Sequence, residues 1–116
     1  MATIFDSATA NSLIGEYQLQ NASDDGPALL TPTDQPLNGF FIDRESLEGL
    51  LSNPNVVGVS INFAKHPDFV GEPGNYFTIL YSGAELNTEL NPPTPYINTG
   101  DICGGPPPCP PYCTNI

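Results

Sequence analysis

The stretch Gly39–Ala64, "GFFIDRESLEGLLSNPNVVGVSINFA", decides the fold class. Its first five residues, "GFFID", read as a short strand. Asp43 then stands where a helix N-cap belongs, and Glu45 and Glu48 lie near the positive end of the helix dipole. Leu47, Leu50 and Leu51 form the stripe that such a helix buries, and Pro54 stops it. From Val56 the period changes to two. Val57, Val59, Ile61 and Phe63 share one face, and Val56, Gly58, Ser60, Asn62 and Ala64 share the other. Strand, helix and strand in so short a span predict a compact β-α-β unit, with its two strands parallel and right-handedly connected.

Upstream, Asp6 or Ser7 caps a first helix in which Ala10, Leu13, Ile14 and Tyr17 fall at i, i+3, i+4 and i+7. Asn21 and "SDDGP" end it. Residues 22–38 read as a loop because Pro27, Pro32 and Pro36 forbid regular structure, with Leu29 and Leu30 pinning it to the core. Downstream, "KHPDFVGEPGN" (65–75) is rich in turn residues. "NYFTILYSGA" (75–84) is a strand returning antiparallel to the one before it, with Phe77, Ile79 and Tyr81 on one face and Tyr76, Thr78 and Leu80 on the other.

The expected fold is therefore α+β: a small two-layer α/β sandwich of order α-β-α-β-β. A mixed three-stranded sheet carries both helices on one face, over residues 1–85. The other face, with Ser60, Asn62, Tyr76, Thr78 and Leu80, is mixed in character and open to solvent or to a second chain. A sheet this short has two free edges, each a template for strand addition.

Residues 86–116 read as a separate Pro/Cys-rich extended arm. They hold eight of the fourteen prolines and all three cysteines. Consecutive prolines favour polyproline II, which is stiff before it docks. Tyr96, Ile97, Ile102 and Tyr112 are apolar anchors along it, placed to pack on this domain or on a neighbouring copy.

Charge narrows the function. Thirteen acids face Arg44, Lys65 and one histidine, a formal net charge of −11. A chain so acidic lacks the basic face that nucleic acid or an anionic membrane requires, and it disfavours phosphate-bearing or other anionic small-molecule substrates. Asp24 and Asp25 are adjacent rather than alternating, so they do not form a calcium loop. The N-terminus has no basic start followed by an apolar run, and "VVGVSINFA" is too short to span a bilayer. The expectation is a cytoplasmic protein, or one exported by a route without a classical signal, with no membrane insertion.

Catalytic signatures are missing: the sequence holds no Gly-rich phosphate loop and no nucleophile elbow. His66, the single histidine, precedes Pro67 in a turn. No catalytic, cofactor-binding or metal-ligating residue is assigned. The tail "CGGPPPCPPYC" (103–113) spaces Cys103, Cys109 and Cys113 as C-x5-C and C-x3-C, unlike the C-x2-C knuckles of zinc sites. In extended polyproline, positions four apart lie about 12 Å from each other, beyond the roughly 7 Å that a disulfide allows. Cys109 and Cys113 therefore bridge only if the chain turns at Tyr112. Gly104 and Gly105 permit a reversal that brings Cys103 to Cys109. Spacing leaves the pairing open, and an odd cysteine is a candidate intermolecular crosslink.

The segment from "FFIDRESLEGLLSNPNVVGVSINFAKH" through "NYFTILYSGAE" to "PCPPYC" resembles a family of small Bacteroidota proteins that run strand, helix, strand, hairpin and finish in a Cys-Pro-Pro-x-Cys tail. Here that motif is Cys109-Pro110-Pro111-Tyr112-Cys113. The resemblance implies that the tail is a repeated feature of such proteins, and it carries no activity with it.

The expected function is that of a non-enzymatic structural protein that associates with copies of itself, as a filament or other higher-order assembly. Sheet edges and the C-terminal arm would make the contacts. The alternatives are a metal-binding or redox module built on the tail thiols with His66, and a Cys-rich peptide carried by a folded leader.

Overall fold

A computed structural model describes residues 2–89 and 95–114. The elements run α1 (Ser7–Ala22), β1 (Gly39–Phe40), α2 (Arg44–Leu51), β2 (Gly58–Lys65), a 3-10 turn (Pro67–Phe69), β3 (Phe77–Leu86), β4 (Tyr96–Gly104) and β5 (Pro108–Cys109). The class is α+β, as the sequence predicts. The main sheet has three strands in the order β2-β3-β4, and a second, two-stranded sheet joins β1 to β5.

Both helices start where their caps require. Asp6 accepts the amide of Thr9, and Asp43 accepts both the amide and the hydroxyl of Ser46. These bonds occupy N–H groups that the first helical turn leaves without a backbone acceptor. The Thr9 amide bond holds the Asp6 carboxyl below its ordinary range, and the Ser46 hydroxyl and amide do the same for Asp43.

The β2–β3 hairpin is the spine of the molecule. Its ladder runs without interruption from Gly58↔Ala84 to Lys65↔Phe77. Directly opposed residues share a face, so Val59, Ile61 and Phe63 lie with Gly83, Tyr81 and Ile79. Over that face sit α2 and β1. The core is Leu50, Ile79 and Tyr81, with Phe40, Ile42, Val59 and Cys103 packed around it. Of the α2 stripe only Leu50 is buried; Leu47 and Leu51 remain 36% and 47% exposed. Two helical turns on a three-stranded sheet present one residue to its centre and leave the flanking leucines at the rim.

At Gly83 the packing fixes the residue type. A Cβ there would meet Val56 Cγ2 at 3.0 Å, the Leu50 carbonyl at 3.1 Å and the Thr99 carbonyl at 3.2 Å. Here α2, the segment that follows it and β4 converge on one backbone point. The β3–β4 register also breaks between Ser82 and Gly83, where Gly100 at φ +79° and Asp101 bulge out of β4.

Three expected details of the arrangement are corrected. First, Gly39–Phe40 does not pair in parallel with β2. It pairs antiparallel with Pro108–Cys109, and every pairing between named strands is antiparallel. β1 is only two residues long, and both residues are taken up by Pro108–Cys109, which leaves β2 paired with β3 alone among the described strands. Second, the region beyond residue 86 is no separate extended arm over its described part: it packs on its own domain, one of the two placements expected, and does so as strands. Residues 96–104 complete the sheet of their own chain, and residues 108–109 clip onto β1. Third, α1 does not lie on the sheet with α2. Its stripe is open to solvent, with Leu13 52%, Ile14 36% and Tyr17 38% exposed.

A polar clamp, and not an apolar one, ties α1 down. Asn21, at 2% exposure, donates to the carbonyls of Leu29 and Leu37 and accepts the Leu29 amide. Tyr17 donates its hydroxyl to the Leu37 carbonyl at 2.6 Å. Burial pushes the Tyr17 phenol above its ordinary value. The loop that receives these bonds is itself closed. Thr31 is 1% exposed and its Oγ1 accepts the Gln35 amide, while Leu30 bridges Pro36 on one side and Tyr76 on the other. The Tyr76 hydroxyl donates to the Asp34 carboxylate, which raises the phenol's pKa.

Candidate functional site

Two exposed surfaces meet at the end of β2. One is an edge and the other is a groove.

The sheet ends on one side at β2, which pairs with β3 alone among the described strands. An edge strand presents a row of backbone donors and acceptors without sheet partners. Proteins usually blunt such edges with proline, charge, a bulge or a covering element. β2 reads "GVSINFAK": it has no proline and no bulge, and its single charge is at its last residue. Two of its apolar side chains stand open, with Phe63 86% and Ile61 52% exposed. The opposite edge, β4, carries the Gly100–Asp101 bulge with an acidic side chain in it.

The groove lies between α1 and the sheet. Leu13, Ile14 and Tyr17 line it from the helix, Leu29, Leu37, Asn38 and Phe40 from the loop and β1, and Phe63 and Phe77 from the hairpin. It encloses about 660 Å³, within the few hundred to a thousand Å³ usual for small-molecule sites. The stripe that predicts α1 is thus one wall of the groove. The distance of α1 from the sheet was not foreseeable from that stripe, because periodicity gives a helix its face and not its partner.

The sequence-derived sites are distributed as follows. Tyr96 and Ile102 lie on the outer face of β4, opposite Leu86 and Ser82, with 53% and 65% exposure. Ile97 lies on the inner face opposite Glu85 and is 43% exposed. Tyr112 is 56% exposed in the C-terminal turn, away from these three along the chain, and its amide donates to the Pro108 carbonyl. The four anchors therefore do not form one patch. With Ser60, Asn62 and Leu80, the outer β4 side chains make a mixed, shallow surface.

Cys109 and Cys113 form a disulfide, with Cα atoms 4.8 Å apart. The extended-polyproline spacing does not apply, because the chain turns at Pro110–Pro111, where both bonds to proline are cis. Cys103 is a half-buried free thiol opposite Tyr81, against the core. It faces inward on a strand and not outward at a tip. Among the described residues no three His, Cys, Asp or Glu side chains converge as metal ligands would. His66 caps the 3-10 turn: its Nδ1 accepts the Asp68 amide at 3.2 Å and its ring meets Phe69 edge-on. That bond places the imidazole proton on Nε2 in the neutral ring.

Neither cation lines the groove, although Lys65 Nζ stands 5.6 Å from the ring centroid of Phe77, one of its walls. Arg44 reaches Glu48 at 3.4 Å on the exposed side of α2. Lys65 Nζ donates to the carbonyls of Glu72 and Gly74, at 3.2 and 2.6 Å, closing the connection between β2 and β3. No helix among the described residues is long and apolar enough to cross a membrane.

No family model, curated protein or solved structure matches the chain.

Proposed function

We propose that the protein is a non-enzymatic structural subunit that associates with copies of itself, β2 of one chain pairing antiparallel with β2 of another. The observation that supports this reading most directly is the unprotected β2 edge, eight residues long, with Phe63 86% exposed beside it. Opposed residues in an antiparallel pair share a face. Pairing two β2 strands therefore gathers both copies of Ile61 and Phe63 on one side, where each phenylalanine buries the surface it now exposes. Full burial of such a side chain contributes about 1.5–3 kcal/mol. The pairing is two-fold and closes at two chains, as one continuous six-stranded sheet.

Joining β2 of one chain to β4 of the next would instead run head to tail and give an open filament. The bulge in β4 opposes that register. The arm then contributes by completing the sheet that offers β2, with Tyr96 and Ile102 on its outer face as a secondary contact. A net charge of −11 on each copy opposes association, so added salt strengthens it.

Sedimentation and size-exclusion chromatography across micromolar to millimolar concentration test the proposal, with negative-stain microscopy to separate dimer from filament. The expected result is a dimer for the wild type and a monomer for Phe63→Lys and Ile61→Lys, with thermal midpoints close to that of the wild type. A wild-type chain that stays monomeric throughout, or lysine variants that dimerise equally well, would sink it.

A further inference from the structure

The groove under α1 is dry in character but not wholly apolar. Asn38 borders it, and the Asn38 Oδ1 atom is buried without a hydrogen-bond partner, the only such side-chain atom among the described residues. A buried carbonyl oxygen left unpaired is costly, and native structures seldom keep one without a reason. The backbone holds this residue firmly: the Asn38 amide donates to the Cys109 carbonyl at 2.8 Å, next to the disulfide turn. The side-chain amide retains a broad, two-fold last torsion, so it can turn Oδ1 toward the groove without moving the backbone.

We infer that this groove binds a small neutral amphiphile: an apolar chain laid along Leu13, Ile14, Phe63 and Phe77, with a hydroxyl head donating to Asn38 Oδ1. The wall chemistry supplies the first half, since the lining is aliphatic and aromatic on both sides. Asn38 supplies the second, since its oxygen accepts and requires a donor. An anionic head is disfavoured. Neither Arg44 nor Lys65 lines the groove, and the chain carries a net charge of −11. This inference stands on Asn38 and the groove; Phe63 is the one lining residue that it shares with the proposed β2 contact.

The test is competition for the fluorescent probe N-phenyl-1-naphthylamine, at a protein concentration where the chain is monomeric. Dodecan-1-ol, its methyl ether and dodecanoate are compared. The ether has the same chain and no donor. The expected result is displacement by the alcohol at about tenfold lower concentration than by the ether or the carboxylate, the ratio that one net hydrogen bond confers. Asn38→Leu should bring alcohol and ether to equality while probe binding persists. Leu13→Glu, at an exposed helical position that does not threaten the fold, should abolish binding of all three. Circular dichroism checks that both variants remain folded. Failure of the probe or the alcohol to bind overturns the inference. So does equal affinity for alcohol and ether, or a preference for the carboxylate, in the wild type. Binding that appears only at concentrations where the chain is dimeric also overturns it.

Discussion

The two helices of this protein invert the usual relation between length and burial. α1 has sixteen residues and an apolar stripe from Ala10 to Tyr17, yet its one buried side chain is Asn21. α2 has eight residues and buries Leu50 in the centre of the core. α2 is held by the hydrophobic effect. α1 is held by hydrogen bonds that Tyr17 and Asn21 donate to two loop carbonyls and by one that Asn21 accepts from the Leu29 amide. The difference teaches that a stripe can serve as the wall of a site instead of as glue, provided something polar holds the helix at a distance.

The sharpest contrast is between two leucines. Leu50→Ala removes a buried side chain between α2 and the sheet and should cost about 2–5 kcal/mol. Leu13→Ala, half exposed in the groove wall, should cost within about 0.5 kcal/mol. Chemical denaturation measures both, and equal losses would mean that α1 is packed after all. Asn21→Ala strikes the clamp instead. It leaves the Leu29 amide without its acceptor, at about 1–3 kcal/mol. Hydrogen exchange should then rise in α1 and residues 28–38 ahead of α2. Opening the tail turn comes next. The Cys109–Cys113 bridge closes a five-residue ring, which on the chain-entropy account contributes about 2 kcal/mol at most. Cys113→Ser should lower the thermal midpoint by no more than that implies, with protection lost first in β5 and β1.

The smallest effect is one of pH, and here the helices agree. Asp6 and Asp43 are both held below the ordinary carboxylate value of about 3.9. A depressed carboxyl contributes stability above its unfolded value and loses it as pH falls through its folded one. Helical circular dichroism should therefore decline as the solution is acidified below that range. An asparagine side chain caps a helix as well as an aspartate does and has no carboxyl to titrate. Asp43→Asn should therefore make the α2 part of that decline disappear.

Much of the fold was legible. The caps at Asp6 and Asp43, the stop at Pro54 and the β2–β3 hairpin follow from local rules, and they form as those rules require. β4 was hidden because composition outweighed pattern. Pro92, Pro93 and Pro95 precede it and "GGPPP" follows, so Tyr96–Gly104 reads as more of the same extended arm. Yet its alternation is intact: Tyr96 and Ile102 face out, while Ile97 and Cys103 face in. The disulfide was hidden for a different reason. A straight polyproline rod is the wrong ruler for its spacing, since the chain reverses within the rod at Pro110–Pro111. The groove was half legible, since its helical wall was visible as a stripe but Asn21, the residue that holds the wall off, reads in sequence only as a helix stop.

Lys65 has a practical consequence. With one lysine, its ammonium already shared by the carbonyls of Glu72 and Gly74, the side chains offer amine-directed reagents a single, occupied target. Trypsin has two recognition points, Arg44 at the first residue of α2 and Lys65 where the hairpin begins to turn. Cleavage after Lys65 requires that the end of the β2–β3 ladder first come undone. The appearance of a 66–116 fragment would therefore serve as a clock for the opening of its central hairpin.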